Sequence, residues 1–440
     1  MSDYIFMLEN HLSTDQSRVV EAVRAAAAHA NVNVFLTGGA MRDMLAGFPI
    51  RDLDFVVEGN PAKVAKPAIE SLAARQLSED ESRKAVELAL PSGITFQIAM
   101  SCQVKVARPG ARPRISPATI QEDLRGRDFT CNAIALSLNK ASRGLLLDPM
   151  NGLADIERRE LRLTTPYGFY DDPSRLLRLA RFRVRLGFAV EERTRMQVAN
   201  ARQAEVEKLI PPAALSQELR RIGFEDSPAE ILKGLEEDKL LTVFSPALAG
   251  AKLNWQGLSR LEKGFRLPPD EPRFRHARLV PFLYALTEKL AARERQALLK
   301  LVDLSKPELD RWHRLETVAR KLETALRSPR IRKASQIYFL LAKAEPDEIL
   351  FLLYRSPYKP VQERIRNYFQ KYMPAVQEIP PEEWAAAEAK PGPRRTSEKL
   401  REEVIATHLD RRARKPVEPP VAVPAPVPIV EISGFRRARQ

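Results

Sequence analysis

Val32 to Leu36 is a short, mostly apolar run with β-branched members, which predicts a buried strand. Gly38-Gly39 ends it and lets the backbone approach a ligand closely. Ala40 to Ala46 has helical composition, and Gly47 with Pro49 stops it. A second strand is predicted where Asp52 and Asp54 lead into Phe55-Val56-Val57. Upstream, Ser13 to Ala30 reads as an amphipathic helix with an alanine-rich middle and Ser13 or Thr14 as its cap. Downstream, Pro61 to Arg75 reads as helical, and Val86–Leu90 and Ile94–Ala99 read as strands around a Pro91-Ser92-Gly93 turn. Lys105 to Pro117 is basic and rich in Pro and Gly, a loop by composition. From 255 to 375 the apolar spacing becomes helical throughout, including Arg293–Val302, Lys306–Leu326 and Pro346–Leu353. From about Lys415 a proline-rich stretch predicts an extended, disordered tail. The expectation is an α+β fold: a small mixed-sheet head with helices, then an all-α remainder.

Composition narrows the class. A chain of 440 residues has room for two to four structural units. No apolar run approaches the ~20 residues of a membrane span, and the first residues lack a basic region before a long apolar core. Neither a membrane protein nor a signal peptide is expected. Two cysteines, Cys102 and Cys131, without a C-x-x-C, argue against a disulfide scaffold or zinc site and fit a reducing cytoplasm. Lys and Arg number 71 against 57 Asp and Glu, a formal charge of +14, which suggests a polyanionic partner.

The chemistry concentrates around the two acids. Side chains at i and i+2 of a strand share a face, so Asp52 and Asp54 repel each other unless a cation lies between them. Hard cations such as Mg²⁺ take oxygen ligands, commonly carboxylates plus substrate phosphates. Taken singly, each part has an ordinary explanation as a turn, a salt bridge or a solvated edge. The whole order is far less ordinary: Gly-Gly after a strand, then Arg42-Asp43, then D-x-D.

This order, G-G-x-x-R-D then D-x-D, resembles the signature of the class II tRNA nucleotidyltransferase and bacterial poly(A) polymerase family. Residues 121–136 (Q-E-D-L-R-G-R-D-F-T-C-N-A-I-A-L) resemble its second motif, 145–163 its third, and Y-D-D-P-S-R within 170–188 its base-selecting motif. The resemblance covers roughly residues 30 to 250. It implies a polymerase-β-like nucleotidyltransferase head at 1–150 and a helical neck at 151–250; the helical stretch that follows is read as a helical body and tail for RNA binding at 251–412, and the proline-rich stretch as a disordered tail at 413–440. It implies template-independent transfer of CMP, AMP or both from CTP and ATP to the tRNA 3′ end, with two Mg²⁺ ions held by Asp52 and Asp54. Gly38 and Gly39 would hold the triphosphate through backbone N–H groups, and Arg42 would add charge to the nucleotide site. Arg127 would contact phosphate and Asp128 the sugar. Asp172 and Arg175 would bond the Watson–Crick edge of the incoming base, with Asp171 at the family's Glu position, and Arg178 would reach the triphosphate. Asp148, Gly152 and Asp155 would be hinge or packing residues.

The chain departs from the family pattern in three places. Gln97 stands where a third acid is frequent, Cys102 and Val104 replace an arginine and a glutamate, and Gly126-Arg127 replaces a double arginine. The five histidines form no phosphohydrolase arrangement. Lys390 to Arg395 resembles the start of the tail segment of long bacterial members. Tyr358 to Met373, basic and aromatic, would either line an RNA path or pack as core with a solvated face. Two alternatives stay open: a poly(A) polymerase, and a catalytically degenerate RNA-binding paralogue.

Overall fold

The structure is a computed structural model that describes residues 3–81, 84–108, 111, 113–388 and 396–412. The Lys390–Arg395 segment and the proline-rich tail lie outside the described residues.

The chain opens with α1 (Asp3–His11) and α2 (Thr14–His29). Ser13 caps α2 in a reciprocal box with Gln16. Next come β1 (Asn33–Thr37), α3 (Gly39–Leu45), β2 (Leu53–Glu58) and α4 (Ala62–Leu72). The strands β3 (Arg75–Asp80), β4 (Ala85–Ala89) and β5 (Thr95–Met100) follow. The hairpin β6 (Cys102–Lys105) and β7 (Arg114–Pro117) leads to α5 (Ile120–Arg125), and β8 (Ala135–Ser137) and β9 (Leu146–Leu147) complete the sheet.

The sheet has seven strands in the order β3-β4-β5-β2-β1-β8-β9, mixed because β2 and β5 run parallel. Alternation along the central strands builds two apolar layers. Val34 and Leu36 of β1 and Leu53, Phe55 and Val57 of β2 join the large core with α2 and α4. Phe35 and Val56 point to the other face, where Ile120 and Leu124 of α5 cover them. Asp52 and Asp54 lie in register with Val56 on that second face.

The segment Lys105–Pro117 is not wholly a loop. Its two ends pair as the β6–β7 hairpin, Cys102 opposite Pro117 and Lys105 opposite Arg114. The hairpin has no buried face, so no alternation marks it, and Pro is tolerated at the end of an edge ribbon.

Past the sheet the chain is helical apart from a two-residue parallel pairing of β10 (Glu160–Leu161) with β11 (Ala189–Val190). The neck comprises α6 (Gly152–Arg158), α7 (Gly168–Asp171), α8 (Arg175–Leu186), α9 (Glu192–Gln203), α10 (Pro212–Phe224) and α11 (Pro228–Glu237). The body continues with α12 (Trp255–Phe265), α13 (Pro272–His276), α14 (Leu279–Thr287), α15 (Ala292–Val302), α16 (Lys306–Arg327), α17 (Ala334–Ala342), α18 (Pro346–Arg355) and α19 (Lys359–Asn367). One continuous apolar core runs from the head sheet into these helices. Beyond α19, Tyr368 and Phe369 are buried, and Phe369 packs edge-on against Phe274 at 5.3 Å. These aromatics of the 358–373 segment are therefore core rather than an RNA path. Tyr358 stays partly exposed, with the Arg327 guanidinium 3.6 Å from its ring centroid.

Candidate active site

The turn after β1 places the first group. Gly38 has φ +65° and ψ −125°, a conformation costly for any residue with a Cβ. A Cβ there would lie 3.1 Å from Arg127 Nη1 and 3.3 Å from Asp54 Oδ2. One on Gly39 would lie 3.8 Å from the same Asp54 oxygen. Gly38, Gly39, Asp54 and Arg127 are therefore in one place.

Asp54 sits opposite Thr37 in the β1–β2 ladder, and Thr37 Oγ1 donates to the Asp54 carbonyl at 3.3 Å. Arg127 Nη2 donates in turn to Thr37 Oγ1 at 3.3 Å, and its Nε donates to Asp123 at 2.9 Å. Asp52 lies just ahead of β2 and is exposed. Burial and the nearby Asp52 charge both push the Asp54 carboxyl above the usual range, against Arg127, Arg221 and Arg42. Two oxygen donors held close, one disfavoured as a bare anion, fit a divalent cation whose remaining ligands come from phosphates.

No third acid completes the pair directly. Gln97 is the ladder partner of Asp54, and Glu87 is the partner of Gln97 on the next strand. Glu87 thus faces the same side two strands away, about 10 Å at the backbone, and accepts from Ser78 Oγ at 2.8 Å. Among the described residues no group of three or more His, Cys, Asp or Glu is arranged to hold a metal ion.

Arg42 lies beside the glycine turn, its Nη2 3.6 Å from where a Cβ on Gly39 would stand. It is buried, donates to Asp43 at 2.9 and 2.6 Å and to Asn132 at 2.7 Å, and lies 5.0 Å from the Phe182 ring centroid. Asp43 also accepts from Arg185 at 2.8 Å. The Arg42 guanidinium thus ties α3 to Asn132 within the head and touches the neck at the Phe182 ring, while Asp43 carries the ion pair to Arg185. A buried Arg needs paired acceptors, and Asp43 beside it provides one.

Asp128 is buried and forms an ion pair with Arg178 at 2.7 Å. Burial would raise its carboxyl, but Arg178 and Arg175, with hydrogen bonds from Asn132 and the Phe129 N–H, hold it down to about 2. Asp172 accepts from the Ser174 N–H at 3.1 Å and Oγ at 2.6 Å. Arg175 Nη2 donates to the Gly126 carbonyl at 3.1 Å, and its Nε is 3.9 Å from Asp172. That Nε is buried without a hydrogen-bond partner. Gly126 and Asp128 of the head and Arg175 and Arg178 of the neck, with Asp172 beside Arg175, thus meet at one head–neck contact.

In the third motif Asp148 accepts from the N–H groups of Gly152 and Leu153 at 2.7 and 2.9 Å. Asp155, fully buried, accepts from Thr130 at 2.6 Å, Arg158 at 2.6 Å and Arg162 at 2.8 Å. Both acids are structural anchors between the head and α6.

Several residues around the site carried no sequence signal. Arg51, next to Asp52, pairs with Glu225 at 2.9 Å and with Asp226, which also binds Arg278 at 2.7 Å. Glu225 pairs with Arg181 at 3.1 Å, and Arg181 with Glu218 at 3.0 Å. These partners lie more than 30 positions apart along the chain, beyond any local pattern.

Residues 34–162 match the family described as the poly A polymerase head domain. An A-adding tRNA nucleotidyltransferase of Halalkalibacterium halodurans is 32% identical over 239 residues, 54% of this chain and 56% of that protein. A CC-adding tRNA nucleotidyltransferase of Deinococcus radiodurans is 39% identical over 154 residues, 34% of this chain and 40% of that protein. The chain spans about half the length, or less, of the curated relatives it matches. The structure of a CCA-adding enzyme in an apo form superposes with a TM-score of 0.54 at 22% identity, covering 92% of this chain and 99% of that one. That likeness shows the fold: a mixed-sheet head followed by a helical body. Among the described residues no helix is long and apolar enough to cross a membrane.

Proposed function

We propose that this chain is a member of the class II tRNA nucleotidyltransferase and bacterial poly(A) polymerase family and adds CMP, AMP or both to the 3′ end of tRNA. Nucleotidyltransferases of this kind generally use divalent metals. One observation carries the reading. The Gly38-Gly39 turn, Asp54 and Arg127 meet on the head, opposite Asp172 and Arg175 on the neck. Head, neck, body and tail are read at 1–150, 151–250, 251–412 and 413–440.

In this reading Asp52 and Asp54 hold two Mg²⁺ ions. When bound, these would favour ionisation of the RNA 3′ hydroxyl and neutralise charge on the leaving pyrophosphate. The backbone N–H groups at Gly38-Gly39 and the Arg127 guanidinium take the triphosphate. Asp128, kept ionised by Arg178, accepts from the ribose. Asp172 accepts from an exocyclic amino group, while the unpartnered Nε edge of Arg175 donates to the adjacent ring nitrogen. Cytosine and adenine present that donor–acceptor order; uracil and guanine do not. No covalent intermediate is needed, and catalysis is positioning plus charge stabilisation. Such a reaction belongs in the cytoplasm, where its substrates are.

The test uses tRNA transcripts ending before C-C-A, after C and after C-C, each given Mg²⁺ and one labelled nucleotide. Addition of C to the first two and a single A to the third is expected of full C-C-A synthesis. C alone or A alone would define a partial enzyme, which is how two of the relatives are named. A long A ladder on any RNA would favour a poly(A) polymerase. No incorporation beside an active control enzyme would leave the RNA-binding paralogue.

A further inference from the structure

A cavity of about 390 Å³ opens between the strand end after β6 and the neck helices α7 and α9. This is the size range of sites for small organic ligands. Its walls carry Arg108, Tyr167, Tyr170, Asp171, Gln197 and Asn200. Tyr167 is 70% exposed, a large aromatic ring left at the surface. Its ring meets Tyr170 edge-on with centroids 6.5 Å apart, so the contact takes up one ring face of the pair rather than stacking two. Gln197 and Asn200 lie three residues apart on α9 and share a side of it. The Gln197 side-chain oxygen is buried and has no hydrogen-bond partner, an unmet acceptor that a ligand would satisfy.

We propose that this cavity holds an unpaired base of the RNA acceptor end, upstream of the growing 3′ terminus. The tyrosine faces offer stacking, and side-chain amides match the donor and acceptor edges of an unpaired base. Arg108 at the rim suits a single backbone phosphate. The position argues for RNA rather than a free nucleotide. α7 is one turn long, with Asp171 in the cavity wall and the next residue, Asp172, 3.9 Å from Arg175. The cavity therefore adjoins the proposed base-selecting pair, and among the described residues that line it Arg108 is the only cation. This inference rests on the reading that the chain acts on tRNA.

The experiment uses the full chain and tRNA transcripts ending in C-C, each with 2-aminopurine at one of the unpaired acceptor positions. Fluorescence on binding is compared for wild type, Tyr167→Ala, Tyr167→Phe and Gln197→Leu, and CTP and ATP affinities are measured alongside. At one position wild type should quench the probe, Tyr167→Phe should retain the quenching, and Tyr167→Ala should lose it. The tRNA Kd should weaken about tenfold for Tyr167→Ala and Gln197→Leu, with nucleotide affinities unchanged. Weaker CTP or ATP binding with unchanged RNA binding would assign the cavity to the incoming nucleotide and overturn the proposal. Variants that incorporate nucleotide, bind tRNA and quench like wild type would overturn it while leaving the proposed activity standing. A wild type that neither binds nor extends tRNA would overturn both.

Discussion

A Cβ on Gly152 would lie 2.1 Å from the Thr130 carbonyl oxygen, well inside any real contact. At this residue the third motif presses against the segment carrying Asp128, because Asp155 of the same helix holds the Thr130 hydroxyl. Gly152→Ala should destabilise the chain by about 3 kcal/mol or more, read as a lower urea midpoint with unchanged slope. A midpoint equal to that of wild type would show that α6 can shift freely. Single residues also mark the limit of sequence reading. Arg42 sits in the family motif, and its motif position suggested a nucleotide contact. Whether its donors face the site or the interior depends on Asn132, 90 positions further on, while its neighbour Asp43 pairs with Arg185, 142 positions away.

Between elements, the site depends on how the D-x-D turn is held. Arg51 ties the start of β2 to the C-terminal end of α10 through Glu225 and Asp226, and Arg278 at the start of α14 holds Asp226 from the other side. A carboxylate displaced by about 1 Å can cost a hundredfold in rate. Arg51→Ala should lower kcat about tenfold or more while leaving tRNA and CTP affinities unchanged, and Arg51→Lys should recover part of the loss. A wild-type kcat in Arg51→Ala would mean that the sheet alone positions Asp52 and Asp54. At this scale the central strands β1, β2, β4 and β5 and the long body helices were legible, because burial on one or both faces writes a period into the sequence. The edge strand β3 was not: R-Q-L-S-E-D is exposed along its whole length and carries no apolar face. The β6–β7 hairpin escaped for the same reason. α1 lies in a stretch read only for the absence of a leader, and fully buries just Ile5 and Leu8.

Across the whole molecule, a charge of +14, a mixed-sheet head and the helical neck that meets it form the frame of the proposed activity. The four motifs were readable because each is local, so their residues stand close together along the chain. The ion pairs that join head to neck were not, because their partners meet only in the folded chain. The site also bears on the substitution of Gln97 for an acid. Among the described residues no third acid stands beside the two carboxylates in the sheet ladder, and Glu87 on that face is two strands away. In the proposed function this pair supports catalysis on an RNA 3′ end. Asp54→Ala tests it most directly, with Mg²⁺-dependent incorporation and tRNA affinity measured on the same full-length preparations. Incorporation should fall by at least about a hundredfold with tRNA affinity unchanged. Equal incorporation by Asp54→Ala and wild type, or tRNA binding by a wild type that incorporates nothing, would contradict it.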